Sequence, residues 1–228
     1  MIRGIIFDID GVLLDSLGIW DDLGARYLQS VGVEPEAGLN EILFSMSMEQ
    51  GASYLNEHYN LQKSDAEVHM GLSQMLEDFY FNEVLPKPGA KELLEFVKAK
   101  GIKITAATSS PRIHIEKALE RNGMLKFFEK IFTNSEVGAS KHSPEIYNMA
   151  AAYLGTKPSE TLVFEDSLYA LKTAKNAGFN TVGVCDIKGE SDQEGVKNTG
   201  DHYVMEMTEC PALLELIGNA ECVADRKA

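Results

Sequence analysis

The sequence predicts an α/β protein: a mostly parallel sheet with helices on both faces, interrupted near its start by an all-helical segment. Three observations predict it. From Pro86 onward, short apolar runs alternate with amphipathic stretches, the pattern of repeated strand–helix units. One earlier apolar run, Ile5 to Phe7, suits a strand buried on both faces. Between about Ser16 and Val84 there is helical spacing and no convincing strand. The expected organisation is therefore an α/β domain made of residues 1–15 and 85–228, with a helical domain, residues 16–84, inserted into it.

In order, the first strand runs into Asp8-Ile9-Asp10-Gly11, where Gly11 lets the backbone turn off the strand end. Side chains at i and i+2 of a strand share a face, so Asp8 and Asp10 are expected to point the same way. Like charges so close repel unless a cation sits between them or one carries a proton. In the insert, Trp20, Leu23, Tyr27, Leu28 and Val31 recur at helical spacing and Gly32 closes the segment. Further helices are expected over about 47–59 and 64–81, the latter opened by a Ser64/Glu67 capping box. Trp20, Met46, Met48, Met70 and Met75 read first as helix-face packing, with a substrate pocket as the alternative.

The α/β part then predicts a helix over 90–100, a strand at Ile102–Ala107 and a helix that Ser110 caps with Pro111 at its first position. A short strand follows at Ile131–Thr133, then a helix from Ser143-Pro144 to Leu154. The last units are a strand at Thr161–Phe164, a helix at Ser167–Ala177 and a strand at Thr181–Cys185. An edge strand at Tyr203–Met205 and a helix at Pro211–Ile217 complete the pattern, and the tail after Gly218 is expected to fray.

Composition narrows the function. A net charge of −14 over 228 residues argues against nucleic acid, which needs a basic surface, and against an anionic membrane surface. It does not exclude a small anionic substrate, because bulk charge is screened beyond ~8 Å at physiological salt. Cys185, Cys210 and Cys222 are odd in number and widely spaced, so neither a disulfide framework nor a zinc site is expected and a reducing cytoplasm fits. The N-terminus opens straight into a strand, without a signal-peptide pattern, and no apolar run nears the ~20 residues of a membrane span. A monomer or weak dimer is expected.

Ligands of such sheets bind at the carboxyl ends of the strands, and the residues there form a coherent set. After the first strand come Asp8 and Asp10. After the second come Thr108 and Ser109, whose hydroxyl and N–H suit a phosphate oxygen. After the third comes Lys141, just ahead of a helix start, the wrong charge for the helix dipole and so better explained by something anionic. After the fourth come Glu165 and Asp166, which helix-dipole complementarity alone could explain. Hard oxygen donors of this kind suit a divalent cation such as Mg²⁺. Neither G-x-G-x-x-G nor G-x-x-x-x-G-K-[ST] is present, so dinucleotide and P-loop sites are not supported.

The four motifs, in this order, resemble those of the haloacid dehalogenase superfamily. F-D-I-D-G-V-L-L-D-S is similar to its first motif, Thr108-Ser109 to its second, Lys141 in K-H-S-P-E-I-Y to its third, and F-E-D-S to its fourth. P-K-P-G-A at 86–90 resembles the family's return into the core after a helical cap. The nearest subgroup by these features is the β-phosphoglucomutase and phosphoglycolate-phosphatase-like one. The resemblance implies a Rossmann-like three-layer core with an inserted cap that closes over substrate. It also implies hydrolysis of a small phosphorylated metabolite through an aspartyl-phosphate. In that scheme Asp8 is the nucleophile and Asp10 the acid and base. Ile9, Thr108, Ser109 and Lys141 hold the phosphoryl group. Asp8, Asp10 (through its carbonyl), Glu165 and Asp166 hold Mg²⁺.

The chain departs from the pattern at Tyr169-Ala170, where the family has a small Gly, and at Trp20 and Met48, where mutases carry a His and an Arg. A sugar-phosphate mutase is therefore the second reading, a true dehalogenase is disfavoured by Asp10, and a phosphoaccepting or phosphate-binding module is the non-enzymatic alternative.

Overall fold

The computed structural model describes residues 1–216. The chain divides into two compact units, Met1–Asp15 with the chain from Leu85 onward, and Ser16–Val84.

In the first unit, β1 (Gly4–Phe7) is buried at every residue, as its apolar run requires. The chain then turns: the Ile9 carbonyl accepts from the N–H groups of Val12, Leu13 and Leu14, and Gly11 takes a left-handed φ of 72°. The segments around Leu13–Asp15 and Leu85–Lys87 pair with each other, Asp15 N–H donating to Leu85 O and Lys87 N–H to Leu13 O, both at 2.9 Å.

The Ser16–Val84 unit is wholly helical in its regular structure: α1 (Ile19–Ser30), α2 (Leu39–Leu43), α3 (Met48–His58) and α4 (Asp65–Asp78), with a π turn over Phe79–Glu83. Helices α3 and α4 open with reciprocal capping boxes, Ser47 with Gln50 and Ser64 with Glu67. Leu23, Tyr27, Leu28, Leu55, Val68 and Leu72 form the buried stripe. The short α2 had no sequence signal, since only Leu39 of its five residues is buried.

Back in the first unit the order is α5 (Ala90–Ala99), β2 (Lys103–Thr108), α6 (Arg112–Arg121), β3 (Lys130–Thr133), α7 (Asn134–Val137), α8 (Glu145–Leu154), β4 (Thr161–Glu165), α9 (Leu168–Asn176), β5 (Asn180–Val184), α10 (Gln193–Thr199) and β6 (His202–Val204). The six strands are parallel throughout, in the order β3-β2-β1-β4-β5-β6. This is the doubly wound, Rossmann-like arrangement, whose strand order reverses beside β1, between β2 and β4. Phe7 and Phe164 stack across the β1–β4 pair with ring centroids 4.6 Å apart. On one face Ile6, Ala107 and Val163 pack against Ile146, Tyr147, Ala150 and Leu154 of α8. α5 packs on the sheet through buried Leu93, Leu94 and Val97.

Several expected boundaries move by one residue; β5 and β6 each begin one residue earlier than the apolar runs suggested. Neither α7 nor α10 was expected. α10 carries one buried apolar residue, Val196, and rests on the Asp192 cap, whose carboxylate accepts from Gly195 N–H at 2.8 Å. The last helix is helical to residue 216; Ile217, the tail after Gly218 and Cys222 lie outside the described residues. Cys185 and Cys210 are free thiols. Among the described residues no helix is long and apolar enough to cross a membrane.

Candidate active site

The reversal of strand order leaves a crevice above the carboxyl ends of β1 and its neighbours. Asp8 follows β1 directly, while Glu165 ends β4 and Asp166 follows it. Carboxylate oxygens of Asp8, Glu165 and Asp166 all lie within 4.8 Å of one another, and all three side chains are buried. Lys141, only 2% exposed, reaches in from the loop between α7 and α8. Its Nζ bonds Asp8 Oδ1 at 2.7 Å and Glu165 Oε1 at 2.8 Å. Helix α8 starts at Glu145, so what Lys141 answers is this pair of carboxylates and not a helix end.

Asp10 takes a different partner from Asp8. Its Oδ2 accepts from the Ser110 hydroxyl at 2.6 Å, and its carboxylate is outside the three-acid cluster. β1 ends at Phe7, so both aspartates lie in the turn beyond it, and Asp10 stays near enough to Asp8 to raise it electrostatically. The expected capping role of Ser110 is corrected. Pro111 is the N-cap of α6, without a side-chain cap bond, and the Ser110 hydroxyl is committed to Asp10. The Ser110 N–H donates to Thr108 Oγ1 at 3.1 Å. Thr108 is buried at the end of β2, whereas Ser109 is exposed and accepts from Asn134 at 2.8 Å. The Ile9 N–H bonds the Asp8 carboxylate. One further contact carried no sequence signal: the Tyr147 hydroxyl on α8 donates to Glu165 Oε1 at 2.7 Å.

The electrostatics of the cluster are lopsided. Burial pushes Glu165 up to about 8, against the pull of Lys141 and with the push of Asp8 and Asp166. Burial also pushes Asp166 up to about 7, helped by Asp8 and Asp186 and opposed by Lys141. Asp8 is raised chiefly by burial, with Lys141 lowering it and Asp10 raising it. Lys141 is the reverse case: burial disfavours its charge, but Asp8 and Glu165 outweigh burial and hold it protonated. Three carboxylates thus face one ammonium, a surplus of two negative charges when all are ionised. Glu165 Oε2 is buried without a hydrogen-bond partner. A hard divalent cation fits this donor set, its charge surplus and the orphaned oxygen.

These shifts link stability to pH. Glu165 binds its proton more tightly folded than at its ordinary value of 4.5. Its protonated form therefore favours folding, and that contribution is lost as pH rises from 4.5 through about 8. Asp166 acts in the same sense from 3.8 through about 7. In chelator, the melting temperature should fall across pH 5 to 8, and Mg²⁺ should restore it most at the alkaline end. Melting that is flat with pH in chelator and indifferent to Mg²⁺ would contradict this account.

Known proteins are similar to this chain in sequence and in fold. Residues 2–178 match the family model described as haloacid dehalogenase-like hydrolase. The phosphorylated carbohydrates phosphatase of Thermotoga maritima is 29% identical over 180 residues, 79% of this chain and 83% of that protein. Hexitol phosphatase B of Escherichia coli is 26% identical over 184 residues, 78% of this chain and 82% of its own length. A solved Thermotoga maritima structure described as a "putative beta-phosphoglucomutase" superposes with a TM-score of 0.85 at 27% identity, covering 95% of this chain and 100% of that one. The chain belongs to the haloacid dehalogenase-like hydrolases, and within them to the phosphoric monoester hydrolases.

Proposed function

We propose that the chain is a Mg²⁺-dependent phosphatase of a small phosphorylated metabolite, working through an aspartyl-phosphate at Asp8. The observation that carries this is the Lys141 bridge: one buried ammonium holds Asp8 beside Glu165 and Asp166, and it leaves two negative charges unbalanced once all three acids are ionised. Asp8, Glu165, Asp166 and the backbone carbonyl of Asp10 would hold the cation. When bound, it supplies charge neutralisation for the phosphoryl oxygens.

The chain's own residues account for the rest. An Asp8 oxygen attacks phosphorus, and the bond to the leaving alkoxide breaks as Asp10 donates it a proton. Lys141, the Thr108 hydroxyl and the N–H groups of Ile9 and Ser109 answer the charge on the transferring oxygens. Asp10, now a carboxylate, takes a proton from water as that water attacks phosphorus. Phosphate leaves and Asp8 is regenerated. Ser110 would set the position of Asp10. Ser110→Ala removes a donor to a carboxylate, worth about 1.5–3 kcal/mol, so kcat should fall roughly 10- to 160-fold. Cation affinity should not change; an unchanged kcat would remove Ser110 from the account.

The substrate class follows the relatives, whose names describe phosphatases of phosphorylated carbohydrates and hexitols. A mutase is the second reading, favoured by the Thermotoga fold match. It must hold a second phosphate, which wants Arg or Lys. Within the helical unit, Trp20, Met46 and Met48 line an apolar pocket with Leu23, Leu43 and Leu72. Arg26 is already paired with Asp22 and Glu83 there. In the α/β unit Lys87 is held by Asp186 at 2.8 Å and by the Cys185 carbonyl at 2.9 Å.

The test is to incubate the chain with β-glucose 1-phosphate, a trace of the bisphosphate and a panel of sugar and polyol phosphates, with Mg²⁺ or EDTA. Free phosphate released only with Mg²⁺ is the expected result. Full activity in stripped protein would refute the cation dependence, and efficient conversion to glucose 6-phosphate with little phosphate released would favour the mutase.

A further inference from the structure

Tyr147 lies in the first turn of α8, whose inner face packs on the sheet through Ile146, Ala150 and Leu154. Its side chain is fully buried, among the largest in the molecule to be so, with its ring 6.1 Å from that of Phe179. A phenylalanine would fill the same apolar site. What the phenol adds is one hydroxyl, 2.7 Å from Glu165 Oε1. Lys141 Nζ approaches that same oxygen at 2.8 Å. Two donors converge on one oxygen of the carboxylate, and Oε2, also buried, receives no hydrogen bond. A buried carboxylate satisfied on one side only is costly unless something else takes the other oxygen. Asp8 and Asp166 lie beside it in the acidic cluster.

We propose that Tyr147 is a positioning residue for the cation site: its hydroxyl, fixed by α8, locks Glu165 through Oε1 so that Oε2 is presented for ligation. The proposal rests on the cation reading above and extends it to a residue that touches neither substrate nor metal. Lys141 alone cannot do this, because it is shared with Asp8 and has a flexible stem. The neutral phenol brings a directed donor without adding charge to the balance of the cluster. Partners that orient metal ligands in this way typically contribute roughly 10- to 100-fold in affinity.

The experiment is a calorimetric titration of the full chain with MgCl₂, wild type against Tyr147→Phe, with melts in chelator to report the fold separately. The variant should keep the wild-type melting temperature to within a few degrees while its Kd for Mg²⁺ rises roughly 10- to 100-fold. At saturating Mg²⁺ its kcat on a chromogenic phosphate ester should return to within about threefold of wild type. A Kd within twofold of wild type would overturn the proposal, as would a kcat deficit that excess Mg²⁺ does not rescue, which marks a structural role. Failure of the wild-type chain to bind Mg²⁺ at all would overturn the cation reading and this inference with it. The titration separates failure of the cation reading from failure of this inference, and the ester assay reads the kcat outcome.

Discussion

Asp8→Asn should abolish phosphate release, lowering turnover by at least about 10⁴, because the amide is the same size and shape but no nucleophile. The fold should survive. Asp8 is held above its ordinary value chiefly by burial, more than Lys141 pulls it down, so its ionisation costs the folded chain more than the unfolded one. The asparagine side chain mimics the neutral form. The cation-free variant should therefore melt at or above the wild-type temperature while Mg²⁺ binding weakens, since one of three anionic groups is gone. Loss of both turnover and fold would mean that Asp8 is a structural group. Retained turnover would remove it from the chemistry.

Lys141→Met should have the second-largest effect, and a different signature. The side chain is buried between Asp8 and Glu165, so its loss leaves two buried carboxylates without the cation they share. Removing one partner of a buried pair typically destabilises by about 3–5 kcal/mol. Removing a donor to the developing transition-state charge typically costs roughly 10²- to 10³-fold in kcat. Both losses should appear together, and Mg²⁺ should recover part of the stability but little of the rate. Lys141→Arg should not rescue, because a planar fork does not fit a site where one nitrogen makes contacts of 2.7 and 2.8 Å. Melting curves and phosphate release measured on the same preparations check this; a variant stable and active within tenfold of wild type would contradict it.

These two residues were legible in the sequence because their setting is local. A buried strand ending in acids is visible in Ile5 to Asp10, and a lysine ahead of a helix start is conspicuous by its charge. The parallel sheet was legible for the same reason, through apolar runs separated by helix caps. What was not legible depends on contacts distant in the chain. Ser110 followed by Pro111 has the form of a helix N-cap, and only the folded chain turns its hydroxyl to Asp10, 100 residues away. Tyr147 reads as one more apolar position of α8, since nothing near it in sequence announces Glu165. The helices α2 and α10 escaped because each buries a single apolar residue, so no periodicity rises above the polar background.

The covalent step is the claim on which the mechanism turns, and it can be observed directly. The Asp10→Asn variant, which loses the group proposed to activate water, should be mixed with substrate and Mg²⁺, quenched in acid, reduced with borohydride and digested for mass spectrometry. Reduction converts an acyl phosphate to the alcohol, so the account predicts homoserine at position 8 and unmodified aspartate elsewhere. Substrate turnover accompanied by unmodified Asp8, or by homoserine at another acidic position, would contradict it.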